Sequence, residues 1–159
     1  MSAQKITRIV AIAVVASFAA LIPPQSIGVA SVSASARAGD LHVTKNCKDY
    51  NGAAGSFCKI KSSNLAEIEI DSIVFYDQVA GIPTGLLDSN VVLDAGNGDR
   101  AVGRCTLDFS TGLGLCTFSD GTGQLAGFHA RVEVSYLGGD DGYDWAWDGT
   151  YSFSPQASR

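Results

Sequence analysis

"SDGTGQLAGFHARVEVSY", Ser119–Tyr136, carries glycines spaced as in a dinucleotide-binding turn, Gly121-x-Gly123-x-x-Ala126. Such a turn must open a helix, because the free amides at the helix N-terminus hold the pyrophosphate. Here it opens Phe128–Tyr136, where Phe128, Ala130, Val132, Val134 and Tyr136 alternate with His129, Arg131, Glu133 and Ser135. Period two is the mark of a strand, and the i, i+3, i+4 spacing of a helix is missing. The glycines therefore read as turn and bulge residues between two strands, and no nucleotide cofactor is expected.

The same alternation, broken by glycine-rich turns, recurs on both sides. "LAEIEID" (65–71) sets Leu65, Ile68 and Ile70 against Glu67 and Glu69, with a slip at Ala66. "SIVFYDQV" (72–79) reads as a largely buried strand, and "NVVLDAG" (90–96) leads into a turn. "AVGRCTLDF" and "LGLCTFS" form a hairpin turning at Ser110-Thr111, beside Gly112. "WAWDGTYSF" (145–153) closes the chain with Trp145, Trp147, Tyr151 and Phe153 on one parity. Seven or so short strands with close turns predict a sandwich or barrel. A closed sheet also removes exposed edges.

The N-terminus has a different character. Lys5 and Arg8 precede an apolar run from Ile9 to Ile22, then Pro23-Pro24 and small residues. That is the plan of a cleavable signal peptide. The run is too short to span a bilayer, which takes about 20 residues, so no stable membrane anchor is expected. Cleavage fits after Ala30 or after Ala36, the latter closing an Ala34-Ser35-Ala36 pattern. The expected organisation is a signal peptide over 1–36 and one domain over 37–159, in a secreted protein. Loss of Lys5 and Arg8 takes the net charge from −5 to −7. A chain this acidic is repelled by phosphate backbones, which argues against nucleic acid as a partner.

Cys47, Cys58, Cys105 and Cys116 all lie beyond the leader. An even count in an exported chain fits disulfides. Three connectivities are possible; the neighbouring pairs, each eleven residues apart, favour Cys47–Cys58 and Cys105–Cys116. Zinc calls for close pairs such as Cys-x-x-Cys, and none is present. Neither "DAGNGD" (94–99) nor "DDGYD" (140–144) has the ligand spacing of a calcium loop, so no metal site is expected. His42 and His129 are the only histidines, and no Gly-x-Ser-x-Gly accompanies them.

"GTGQLAGFHARVEV" resembles the late glycine-rich hairpin shared by plant allene oxide cyclases and dirigent proteins. "SIVFYDQVAGIP", Ser72–Pro83, is similar to their first barrel strand and the loop after it, and "WAWDGTYSF" to the closing strand. The resemblance spans roughly Ile68–Phe153. It implies a closed antiparallel barrel of about eight strands with an apolar interior, in which cyclases confine a fatty-acid epoxide and dirigent proteins steer radical coupling. Dimers and trimers are common among such proteins. By this likeness the function is cyclisation or isomerisation of a small apolar molecule in the barrel. The alternative is a non-catalytic binding or structural protein with a filled barrel.

Asp77 after Tyr76 matches the acid that ends the first strand of the cyclases. Parity groups it with Ile73, Phe75 and Val79 as an inward face. A carboxylate in an apolar pocket has its pKa raised and can move a proton, which makes Asp77 the candidate catalytic residue. The bland reading places it solvated at the barrel mouth. The cyclases also carry an asparagine two positions beyond that acid, where this chain has Val79, and Pro83 falls at a shifted spacing. Phe75, Tyr76, Trp145, Trp147 and Tyr151 are the candidate ligand-contact residues, since small-molecule pockets are largely apolar and aromatic. An aromatic stripe such as Trp145, Trp147 and Tyr151 more often simply fills the core.

Overall fold

The alternation over Phe128–Tyr136 forms one strand of a closed sheet. The computed structural model describes residues 37–155, so the expected signal peptide and its cleavage sites lie outside the described residues. Within them the order is β1 (Arg37–Asn46), β2 (Phe57–Ser63), β3 (Ile73–Tyr76), β4 (Leu86–Asp94), β5 (Arg100–Asp108), β6 (Leu113–Thr122), β7 (Phe128–Gly138) and β8 (Asp144–Phe153). Each strand pairs antiparallel with the next, and β8 returns to β1, giving an eight-stranded up-and-down barrel. The fold class expected from sequence is thus the one observed.

The glycine turn joins β6 to β7 through a single 3-10 turn, Gly123–Leu125. Gly123 has φ +59, and a side chain there would strike the Asp99 carboxylate. That carboxylate accepts hydrogen bonds from the Gln124 amide (3.1 Å) and the Gln124 side chain (3.0 Å). An amide that a dinucleotide site would aim at phosphate is thus tied to a neighbouring hairpin.

Three strand expectations need correction. "LAEIEID" is a run of turns, not a strand. Leu65 and Ile68 are both buried, three residues apart, and the Ile68 amide donates to the Leu65 carbonyl at 3.0 Å, the spacing of a helical turn. The first two strands, β1 and β2, lie where no strand was expected, so Ser72–Tyr76 enters the third strand of the barrel. The face of β3 is also reversed. Val74 and Tyr76 point inward, with 0% and 3% exposure, while Phe75 is 37% exposed. "IVFY" is apolar at every position, so its own sequence carries no parity. Pairing decides it: Val74 lies opposite Cys58 and Leu93 in the core, and Phe75 opposite Phe57 outside. A one-residue change of register exchanges the two faces of a strand.

Alternate connections of the meander fall at opposite ends. The end bearing the β2–β3 and β6–β7 connections is filled: Leu65, Ile68 and Leu125 come in from those connections, and Phe118, Phe128 and Trp147 pack among them. Phe118 stands 5.4 Å from Trp147 and 6.1 Å from Phe128, ring centre to ring centre.

Cys105 lies directly opposite Cys116 across the β5–β6 hairpin, with Cα atoms 4.1 Å apart, and the two are bonded. Cys47 and Cys58 are bonded across the β1–β2 loop. Denatured, unreduced protein is expected to offer no thiol to maleimide, and labelling of two or more cysteines would contradict this pairing. Each bridge closes a short loop, so replacing Cys105 and Cys116 by alanine should cost about 2–3 kcal/mol.

Candidate functional site

The end carrying the β1–β2, β3–β4, β5–β6 and β7–β8 connections is open. It holds a cavity of about 430 Å³, a size usual for small-molecule sites. Tyr50, Tyr76, Phe109, Tyr136 and Trp145 form an aromatic wall, Leu87, Leu107 and Val134 an aliphatic one, and both disulfides lie in the lining. Tyr50 meets Tyr76 edge-on at 5.1 Å, and Trp145 lies 5.0 Å from Tyr136. Ile82, Tyr136 and Tyr143 remain exposed around the mouth.

One charged residue type stands among these groups. Lys45 lines the cavity and is 3% exposed. Strand β1 sends Leu41, Val43 and Lys45 to one face, with buried Cys47 just beyond its end, so period two carries the lysine inward with its apolar neighbours. Its Nζ donates to the Tyr76 hydroxyl at 2.5 Å and lies 4.4 Å from the centre of the Trp147 ring. Among the described residues Tyr76 is its only hydrogen-bond partner, and it forms no ion pair. Burial disfavours the ammonium and lowers the Lys45 pKa from 10.5 to about 7. Burial, and then the neighbouring Tyr50, push the Tyr76 phenol up, so it stays protonated. The Tyr50 hydroxyl is buried on the cavity wall without a partner among the described residues. The cavity therefore combines an apolar wall with the Lys45 amine and the Tyr50 and Tyr76 phenols, able to donate to an oxygen or attack an electrophile.

Asp77 does not belong to this constellation. It is exposed on the outer side of the barrel, following the reversed face of β3. Its carboxylate accepts from Asn90 Nδ2 at 3.1 Å and Ser89 Oγ at 3.2 Å. The Asn90 bond leads the effects that hold its pKa below the ordinary carboxylate range, opposite to the raised value a pocket acid would show. Of the expected contact residues, Tyr76 and Trp145 line the cavity. Phe75 faces outward against Phe57 at 5.8 Å. Trp147 is fully buried beneath Lys45 in the core, and Tyr151 lies against Gly39 and Phe153, away from the cavity. Lys45, Tyr50 and Phe109 were not among the expected site residues.

No family model, curated protein or solved structure matches the chain.

Proposed function

We propose that the protein binds one small, largely apolar molecule in the open end of the barrel, with the polar end of that molecule against Lys45 and Tyr76. The observation that carries this reading is a cavity of about 430 Å³ with a single buried lysine and no paired acid. Its aromatic wall supplies apolar contact, and the amine and phenols fix orientation. The volume favours this over the filled-barrel alternative, which describes the opposite end. If the molecule is also cyclised or isomerised, as the resemblance to allene oxide cyclases implies, Lys45, Tyr76 and Tyr50 are the groups that would act, in place of Asp77. The two disulfides fit an oxidising compartment, and action outside the cytoplasm is part of the proposal.

Anilinonaphthalene sulfonate, an apolar dye with one anionic end, tests the reading. We expect saturable binding with a Kd on the order of tens of micromolar. Leu107→Trp, which fills the cavity from its wall, should weaken binding by at least about tenfold. Asp77→Asn should leave it unchanged. Affinity for this anion should fall as pH rises through about 7, where the Lys45 ammonium loses its charge. Equal binding by the folded Leu107→Trp variant would refute the cavity as the site.

A further inference from the structure

We propose that Lys45 captures small apolar aldehydes or ketones covalently, as an imine formed within the barrel cavity. This rests on the cavity-binding reading and adds a reaction to it.

The geometry supplies three requirements. Lys45 lines the cavity, and its Nζ is bonded to the hydroxyl of Tyr76, another lining residue, so the amine stands beside the space a carbonyl would occupy. The amine is tied to a phenol and not to a carboxylate, so no ion pair holds it as an ammonium. Two lining tyrosines supply hydroxyls for a carbonyl oxygen: Tyr76, bonded to the amine, and Tyr50, whose ring packs on that of Tyr76 and whose hydroxyl has no partner among the described residues. The lowered proton affinity of Lys45 adds that much of the amine is neutral at physiological pH. A desolvated lysine in an apolar pocket is the usual way a protein makes an amine nucleophilic.

The step balances without an oxidant. The nitrogen lone pair attacks the carbonyl carbon, a C–N bond forms, and the C=O π pair moves onto oxygen. A proton leaves nitrogen and reaches that oxygen through the Tyr76 hydroxyl, giving a neutral carbinolamine. The nitrogen lone pair then forms C=N while the C–O bond breaks, and the oxygen leaves as water with the second amine proton. The net change is amine plus carbonyl to imine plus one water, and hydrolysis reverses it.

Benzaldehyde with sodium cyanoborohydride at neutral pH tests this, because reduction converts the imine into a stable benzylamine. Peptide mapping by mass spectrometry then locates the adduct. We expect saturable labelling at Lys45, on the order of a hundredfold faster than at exposed Lys48, Lys59 or Lys61, since an ordinary lysine is almost wholly protonated there. Lys45→Arg should abolish the fast adduct, and Tyr76→Phe should slow it. Benzyl alcohol, which has the same shape without the carbonyl, separates the two claims. Binding of benzyl alcohol with no preferential label on Lys45 would overturn the imine and leave the cavity reading standing. Binding of neither compound would overturn both.

Discussion

Lys45→Met is expected to stabilise the protein at neutral and acidic pH, although it removes a hydrogen bond. In the folded protein Lys45 takes up a proton only below about 7, whereas the unfolded chain binds it up to the ordinary lysine value of 10.5. Stability rises with pH wherever the unfolded state holds more protons. The burden of the buried amine is therefore complete below pH 7, shrinks between 7 and 10.5, and is gone above that window. At ~1.4 kcal/mol per tenfold change in proton affinity, the full burden is roughly 4–5 kcal/mol. Methionine fills much the same volume but leaves the Tyr76 hydroxyl without its partner, a loss of about 1–2 kcal/mol. The net gain should be roughly 2–4 kcal/mol, or on the order of 10 °C in Tm. Thermal unfolding of both proteins across the pH range measures this, and the difference cancels every other titrating group. A gain that stayed constant with pH would show that Lys45 is charged in the fold. A group that lowers stability where it stands is the kind that functional sites retain.

Trp147→Ala and Phe75→Ala should differ sharply. Trp147 is 0% exposed, lies between Val43 and Val134 in the sheet, and touches Phe118 and Lys45. Truncating a fully buried tryptophan costs about 3–5 kcal/mol in lost transfer and cavity terms. Phe75 sits on the outer face beside Phe57, and its truncation should cost under about 1.5 kcal/mol. Denaturant unfolding of the two variants decides which parity of β3 is inside. Comparable losses would mean that Phe75 faces the core, as its place beside Ile73 and Asp77 first suggests.

That contrast shows how far the sequence is legible. β7 and the β5–β6 hairpin declare themselves, because β7 alternates apolar and polar residues from Phe128 to Tyr136 and the hairpin turns about a glycine that the backbone requires, Gly112 at φ +68. The bonded cysteines follow from that hairpin. β3 does not declare its face, since four apolar residues in a row satisfy either register and only pairing with β2 and β4 chooses. Asp77 was misplaced with it. "LAEIEID" carries apolar residues that suit a strand at one spacing and a tight turn at another, and the Leu65–Ile68 turn prevails.

The site was hidden for a related reason. "LHVTKNC" alternates as cleanly as β7, but the lysine at an inward position interrupts the apolar pattern and disguises the strand. Parity counted from Leu41 and Val43 would have carried Lys45 inside. β2 holds a similar trace, with Cys58 and Ile60 inward against exposed Lys59 and Lys61. Tyr50 and Phe109 come from loops, where no periodicity announces which way a ring will turn.

The proton affinity of the Lys45 amine tests the account most directly, and an NMR titration of lysine side chains labelled at Cε measures it. The resonance of Lys45, identified by its loss in Lys45→Met, should titrate near pH 7, while that of Lys61, whose bond to Asp144 raises its pKa, titrates above 10.5. A Lys45 resonance that moved only near 10.5 would place the amine in water and remove it from the cavity.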